Sequence, residues 1–267
     1  MKKIFLILFL IFTFISNSFA QECLWHAYAY SGYAWCKKTG FNNPDRINPE
    51  GQRVFIFDPN LNDDNVLRNA PFGGMALHRS VNSWLRLGFS FDSYATFAYQ
   101  KFHTVLLPAA LVEVLWDQYQ RQFSLQHRSA MFDCYLQTPA SWQVTVGAIS
   151  IIPQIGGSVG VGINNMYNFQ TITHNIIAQD TDVTTIGANH ISKSLAWRIE
   201  AGIKFNSLES NVSFGVSYRY YCGGEFKSGT RFMFNDISNE GTIYNLPAWR
   251  GVLKTNQIKL YINANFD

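Results

Sequence analysis

The sequence predicts an all-β protein, a closed antiparallel eight-stranded up-and-down transmembrane β-barrel, and three observations carry this prediction. Apolar and polar residues alternate with a two-residue period in several segments, most regularly between Leu195 and Phe266. The connections between these segments are short and long in turn. The first 20 residues resemble an export signal. Short periplasmic turns, long external loops and alternating strands are typical of outer-membrane barrels.

Residues 1–20 are predicted to be a secretory signal peptide, which leaves 21–267 as one barrel domain. Lys2 and Lys3 form the positive start, an apolar core follows, and Ser18-Phe19-Ala20 is a small-residue cleavage site. Beyond Ala20 no apolar run is long enough for a spanning helix. A spanning structure in the mature chain is therefore expected to be a barrel, because only helices and closed barrels satisfy the backbone in lipid.

Composition limits the partners. The 267 residues are 15% charged and 16% aromatic, and losing Lys2 and Lys3 with the leader lowers the formal net charge from +3 to +1. Nucleic-acid binding normally needs a clustered basic face, so no nucleic-acid partner is expected. The expected partners are outer-membrane lipid and, through the loops, surface molecules of a host or a neighbouring cell. The chain is expected to be a monomer without a cofactor or a metal.

Eight strands are predicted, at 24–36, 84–91, 94–103, 122–136, 142–163, 195–205, 211–222 and 257–266. The strands at 84–91 and 94–103 form a hairpin if Asp92-Ser93 is a tight turn. Further short turns are predicted at 137–141 and 206–210, and long loops at 37–80, 104–120, 164–194 and 223–255. The apolar stretch from Thr104 to Gln118 is compatible with a helix over the barrel mouth or with longer strands.

The segment from Leu195 to Phe205 shows the alternation most clearly. Leu195, Trp197 and Ile199 share one face with three further apolar residues, while Arg198, Glu200 and Lys204 share the other. A soluble sandwich would bury the apolar face, whereas a barrel turns it to lipid. The alternation in loop length favours the barrel, with the sandwich as the alternative.

The C-terminal third also resembles a known family. Three runs carry the resemblance: residues 195–205, residues 212–220 with the following Gly224-Glu225-Phe226-Lys227-Ser228-Gly229, and the last strand, residues 253–266. Together they are similar to the end of opacity-protein-like outer-membrane β-barrels, and residues 85–102 are similar to that family's second and third strands. The resemblance implies an eight-stranded barrel of a Gram-negative outer membrane, a role in surface adhesion or membrane integrity, and no general catalytic motif.

Charged residues on the polar faces are predicted to form an ion-pair network that plugs the lumen, because an eight-stranded barrel is just wide enough for side chains to fill. The predicted members are Arg86, Arg128, Arg198, Glu200, Lys204, Arg219 and Lys259. Function is then expected on the loops. A narrow pore is the alternative.

Two further hypotheses concern single residues. The four cysteines match no zinc spacing, and their predicted positions at strand ends favour the disulfides Cys36–Cys222 and Cys23–Cys134. His127 and Ser129 lie two apart, as in the His-x-Ser arrangement of lipid A deacylases, with Asp133 further along the same face. Ala130 stands where that family continues with Asn. A lipid A-modifying hydrolase is therefore the weaker alternative.

Overall fold

Fifteen strands and no α-helix make up the described part of the chain. The computed structural model describes residues 24–37, 46–47, 53–55, 67–104, 117–139, 142–175, 180–234, 241–245 and 247–266. The strands are β1 (Trp25–Cys36), β2 (Arg46–Ile47), β3 (Arg53–Phe55), β4 (Ala70–Ser80), β5 (Leu85–Tyr94), β6 (Phe97–Thr104), β7 (Asp117–Gln137), β8 (Val144–Val146), β9 (Ile149–Asn175), β10 (Asp180–Gly187), β11 (His190–Ser207), β12 (Val212–Lys227), β13 (Arg231–Phe234), β14 (Thr242–Asn245) and β15 (Arg250–Phe266). Among the described residues, no helix has the length and apolar character needed to cross a membrane.

Eight of these strands close into a ring. Each pairs antiparallel with the next in the order β1, β4, β5, β7, β9, β11, β12, β15, and β15 pairs back with β1. The ring leaves none of its strands with an unpaired side along the barrel wall. The predicted eight-stranded antiparallel barrel is confirmed.

The outer face of the ring is apolar and the inner face is polar. In β11, Leu195 is 68% exposed and Ile199 55%, whereas Arg198 and Glu200, which alternate with them, are 2% and 1% exposed. The same inversion holds in β15, where Leu260 is exposed and Lys259 is buried. Large apolar side chains facing outward around a closed barrel are stable only against lipid. The chain is therefore a membrane-spanning barrel of the outer-membrane type, and the sandwich alternative is wrong.

Short turns collect at one end of the barrel. They join β4 to β5 at 81–84 and β11 to β12 at 208–211, and the termini of the ring lie beside them because Trp25 pairs with Phe266. Between β7 and β9, the small strand β8 pairs with the start of β9 around Gly147, whose φ of 60° suits glycine. Longer connections lie at the other end, as predicted. By the usual rule for such barrels the short turns face the periplasm.

The predicted hairpin at Asp92-Ser93 is wrong. Asp92 and Ser93 lie within β5, and β5 and β6 both pair with β7, as two parts of one long strand. The second strand of the ring is instead β4, inside the region predicted as the long loop 37–80. The strand count was right because one strand had been split while another was missed.

The strands at the long-loop end extend further than predicted. β9 has 27 residues and β10 follows it, so much of the predicted loop 164–194 is sheet. The predicted loop 223–255 likewise contains β13, β14 and the start of β15. Within the stretch from Thr104 to Gln118, residues 105–116 lie outside the described residues, as does the predicted signal peptide.

Candidate functional site

Six charged side chains meet in the middle of the lumen and form what we call the central cluster: Asp92, Asp133, Arg198, Glu200, Arg219 and Lys259. Arg198 lies between two carboxylates, with Nη1 2.6 Å from Asp92 Oδ2 and Nη2 2.8 Å from Asp133 Oδ1. None of the six side chains is more than 6% exposed. Three cations face three carboxylates, so the cluster is balanced in formal charge.

The second half of the central cluster is built around Glu200. Its Oε2 accepts from Arg219 Nε at 2.7 Å, and its Oε1 is paired with the ammonium of Lys259. Arg219 also reaches Asp92, with Nη1 3.2 Å from Oδ1. Asp92 is thus shared by both arginines, and the six groups form one connected network.

Strand register explains this convergence. Glu200 of β11 is directly opposite Arg219 of β12, so their side chains point into the lumen from neighbouring strands. Asp92 of β5 comes from a different part of the wall, because β7 and β9 separate β5 from β11 around the ring. The bond between Asp92 and Arg198 therefore crosses the lumen.

Tyrosine hydroxyls complete the central cluster. Tyr30 Oη donates to Asp92 Oδ1 at 2.8 Å, and Tyr135 Oη donates to Glu200 Oε2 at 2.7 Å. The guanidinium of Arg219 lies over the Tyr30 ring at 4.8 Å. These contacts supply the additional hydrogen bonds that buried ion pairs need to offset their lost hydration.

On the external side of the central cluster, aromatic rings fill the lumen. Tyr94 stacks on Tyr221 with 5.6 Å between ring centroids and on Phe72 with 5.2 Å. Farther out, Tyr99 stacks on Phe123 at 4.7 Å. Ions and rings together make the centre of this barrel a packed core.

His127 belongs to a separate buried network. Its Nδ1 is 2.7 Å from Asn164 Oδ1 and its Nε2 is 2.5 Å from Tyr221 Oη. The Nδ2 of Asn164 donates to the carbonyls of Gly223 and Glu225 at 3.1 and 3.0 Å. These carbonyls flank Gly224, where the register between β12 and β15 shifts. The Asn164 amide, held by His127 at its oxygen, thus satisfies carbonyls that the bulge turns into the lumen.

This geometry does not build the predicted hydrolase. Both ring nitrogens of His127 are engaged elsewhere, and Ser129 Oγ donates to Asp92 Oδ2 at 3.3 Å. Asp133, the predicted orienting acid, binds His78 and Arg198. His127 and Ser129 are 0% and 4% exposed inside the barrel, away from the acyl chains that surround it. A Ser–His pair needs the two groups within hydrogen-bond reach of each other and of a substrate.

A second lumen region, which we call the lower vestibule, lies at the short-turn end. It is a cavity of about 590 Å³ lined by Leu24, His26, Ser80, Val81, Asn82, Ser83, Gln137, Gln143, Ile152, Lys204, Asn206 and Asn265. Lys204 is 4% exposed and has no carboxylate within salt-bridge distance among the described residues. Arg86 lies deeper and bonds to Tyr28 Oη and, at 2.8 Å, to Gln154 Oε1.

The predicted network therefore divides into three groups. Arg198, Glu200, Arg219 and Lys259 lie in the central cluster. Arg86 faces the lumen with neutral partners, and Lys204 faces it without an ion pair to any described residue. The assignment of Arg128 to the lumen is wrong, because this side chain is exposed on the outer face while its neighbours His127 and Ser129 point inward. The alternation in β7 runs through Asp133, and Arg128 falls on the opposite parity.

Asp92 is the main residue that sequence reasoning missed. The inward positions of β5 are Arg86, Gly88, Ser90 and Asp92. Extending the alternation of residues 84–91 by one residue therefore predicts that Asp92 faces the lumen. The Asp-Ser pair looked like a turn because both residues are common in turns. Its position on the polar face was the better guide.

The predicted disulfides are not present in the described residues. Cys36 pairs with Thr255 of β15, and the other neighbour of Thr255 is Tyr221, next to Cys222. Two strand spacings of about 4.8 Å therefore separate β1 from β12, beyond the roughly 7 Å that a disulfide spans. Cys36, Cys134 and Cys222 are free thiols, and Cys134 is exposed on the outer face. Cys23 lies outside the described residues.

Metal ligands do not assemble in the part of the chain that is described, where no group of three or more His, Cys, Asp and Glu side chains is placed to hold an ion. The lumen acids are bound by arginine and lysine instead.

No protein-family model matches the chain, and no curated protein matches its sequence. Among solved structures, it is similar to Ail, the attachment invasion locus protein of Yersinia pestis, at 10% identity and a TM-score of 0.37, covering 92% of this chain and 100% of that one. It is also similar to the outer membrane protein OprG of Pseudomonas aeruginosa, at 11% identity and 0.46, covering 90% and 95%. The outer membrane protease OmpT of Escherichia coli is similar at 9% and 0.40, covering 92% and 98%.

Proposed function

We propose that this protein acts at the cell surface by binding molecules of a host or a neighbouring cell, through a sheet that its strands build beyond the outer leaflet. The observation that carries the proposal is strand length. β7 has 21 residues and β9 has 27, whereas about 9–11 residues cross a bilayer. The excess lies at the long-loop end, where β6, β7, β9, β10, β13 and β14 pair in that order. We call these six strands the external sheet.

The external sheet has its own packed inner side. Phe169 contacts Phe232 with 5.6 Å between ring centroids and Trp249 with 5.1 Å. Arg121 lies over the Trp249 ring at 4.6 Å. A sheet held by buried aromatic rings presents a fixed outer surface, so less order has to be gained on binding than with free loops. This supports recognition of a large partner over a purely structural role.

The lumen is proposed to be closed. The central cluster spans it with ion pairs, and stacked tyrosines lie on the external side. A narrow pore is the competing function. Recording from the refolded chain in planar bilayers distinguishes them: a closed lumen gives no discrete conductance steps at moderate voltage, and reproducible steps would favour the pore.

The surface role is tested by removing part of the external sheet. Residues 230–248, which contain β13 and β14, are replaced by a short Gly-Ser linker, since β12 and β15 remain paired at Lys227 and Arg250. Bacteria that display the variant are compared with the intact chain for attachment to cultured host cells and to neighbouring bacteria. We expect attachment to fall to the level of bacteria without the protein.

The matched control replaces residues 142–148, which contain β8 at the short-turn end, with a similar linker. This change lies on the periplasmic side, so attachment should be unchanged. Folding of both variants is checked by heat-modifiable migration, in which the unboiled barrel runs differently from the boiled chain. Equal attachment by the folded external variant and the intact chain would refute the surface role.

A further inference from the structure

Two cations at the short-turn end of the lumen, Arg86 and Lys204, lie outside the central cluster, and neither has a carboxylate partner among the described residues. Arg86 uses its two terminal nitrogens on Tyr28 and Gln154, and its Nε is buried without a hydrogen-bond partner. Within the described part of the chain, Lys204 has no hydrogen bond and no ion pair. A buried cation without a counter-charge is costly, so a site that retains one is suited to an anion from solution.

The surroundings of Lys204 form a site that an anion can enter. The described residues that line the lower vestibule include no aspartate or glutamate, and Lys204 is the one lysine or arginine among them. Its volume of about 590 Å³ is ample for a small ion and several waters. The vestibule opens at the short-turn end, so the ion would come from the periplasmic side.

A hydrogen-bonding side chain, the amide of Asn206, lies in the lower vestibule together with Lys204. The Asn206 amide lines the vestibule, and its Oδ1 is buried without a partner. Rotation of an amide about its last bond exchanges oxygen for NH₂, so Asn206 can turn a donor toward an anion. His26, by contrast, is already held between Asn265 Oδ1 at 2.7 Å and Ser80 Oγ at 2.8 Å. Lys204 and Asn206 are therefore the residues available to a ligand.

We propose that the lower vestibule is a binding site for a small oxyanion of the phosphate or carboxylate type, held by the ammonium of Lys204 and the amide of Asn206. The positive charge of Arg86 lies behind them and adds to the attraction at this end of the lumen. The site is independent of the proposed surface role, because it opens at the opposite end of the barrel.

The experiment uses the full mature chain, refolded in zwitterionic detergent. Inorganic phosphate and succinate are titrated separately at constant ionic strength set with chloride, and binding is followed by calorimetry. We expect one saturable site for at least one of the two anions, and the anion that saturates identifies the class. Lys204→Gln should weaken that binding by about tenfold or more, as expected for loss of a charge-assisted bond.

Two further variants test whether binding depends on Lys204 itself or on the net positive charge of the protein. Lys193→Gln removes a lysine from the exposed outer face of the same strand and should leave the affinity unchanged. Lys204→Arg keeps the charge and should retain most of the affinity, which also covers the case in which Lys204→Gln fails to give a heat-modifiable barrel. Absence of saturable binding, or equal binding by intact chain, Lys204→Gln and Lys193→Gln, would overturn the proposal.

Discussion

The central cluster and the lower vestibule lie in the same lumen, but their cations differ in whether they are paired with carboxylates. In the central cluster Arg198, Arg219 and Lys259 each have a carboxylate oxygen within 3.2 Å. In the lower vestibule Lys204 has no such partner among the described residues, and Arg86, which lies deeper, bonds to neutral groups. The first arrangement fills the middle of the lumen with paired charges, whereas the second leaves a site that water can reach.

This difference teaches which lumen charges stabilise the fold. Removing one member of a buried ion-pair network destabilises the fold, because the charges that remain have lost their partner. A charge that already lacks a partner leaves nothing uncompensated behind. Substitutions in the two regions should therefore differ strongly although both remove a lumen charge.

The largest effect is expected for Arg198→Leu. It leaves Asp133 without a guanidinium partner, beside His78, Ser90 and Ser158, and it takes one of two arginines from Asp92. We expect a loss of about 3–5 kcal/mol in the free energy of unfolding, the range for breaking a buried ion pair. Urea titration of the barrel in lipid vesicles, followed by tryptophan fluorescence, measures it. A loss no larger than that of Lys193→Leu, on the outer face of the same strand, would contradict the central cluster's role.

A smaller loss is expected for Asp92→Asn. The change keeps the shape of the side chain, and each arginine retains one carboxylate, Asp133 for Arg198 and Glu200 for Arg219. Losing the shared charge should reduce the free energy of unfolding by about 2–3 kcal/mol, within the range for hydrogen bonds to charged groups. Glu209→Gln, in the exposed turn at 208–211, is the matched control and should be neutral. A neutral Asp92→Asn would show that the arginines do not depend on their shared acid.

Strand alternation predicts most of the charged residues of the central cluster from the sequence. Alternation places Arg198, Glu200, Arg219 and Lys259 on inward faces, because side-chain direction in a strand follows from parity alone. Alternation also turns Arg128 outward, because its parity in β7 is opposite to that of His127 and Asp133, and the prediction of a lumen position followed its charge instead. Parity is a geometric constraint, whereas the preference for buried charge over lipid-facing charge is only a tendency near the membrane boundary.

Partners across the lumen are harder to predict. The contact between Asp92 and Arg198 joins residues 106 positions apart, and it depends on the register of the intervening strands β7 and β9. If Asp92-Ser93 is interpreted as a turn, the alternation of β5 ends before Asp92 and does not predict its position in the lumen. The sequence does not predict β4 because Ala70, Pro71, Gly73 and Gly74 look like a loop, although Gly74 leaves room for the Tyr30 ring in the lumen.

A weaker effect is expected for Ser129→Ala. Ser129 donates one long bond, 3.3 Å, to an Asp92 carboxylate that also accepts from Arg198, Arg219 and Tyr30. Its loss should cost about 1 kcal/mol or less in the free energy of unfolding. Mass spectrometry of lipid A from cells with the intact chain and with Ser129→Ala should show the same acylation. An acyl chain present only with Ser129→Ala would instead assign hydrolysis to this residue.

The smallest effect is expected for Lys204→Met, because this change, unlike Arg198→Leu, removes a lumen charge that has no carboxylate partner among the described residues. No carboxylate among the described residues loses a partner, and the methionine keeps much of the apolar stem that packs near Ile152, its neighbour in register on β9. The free energy of unfolding should be unchanged, or raised by no more than about 1 kcal/mol because an unpaired cation is removed from a half-enclosed site. Measured in vesicles without added phosphate or carboxylate, a loss comparable to that of Arg198→Leu would mean that Lys204 is bound within the fold, and the contrast between the two lumen regions would fail.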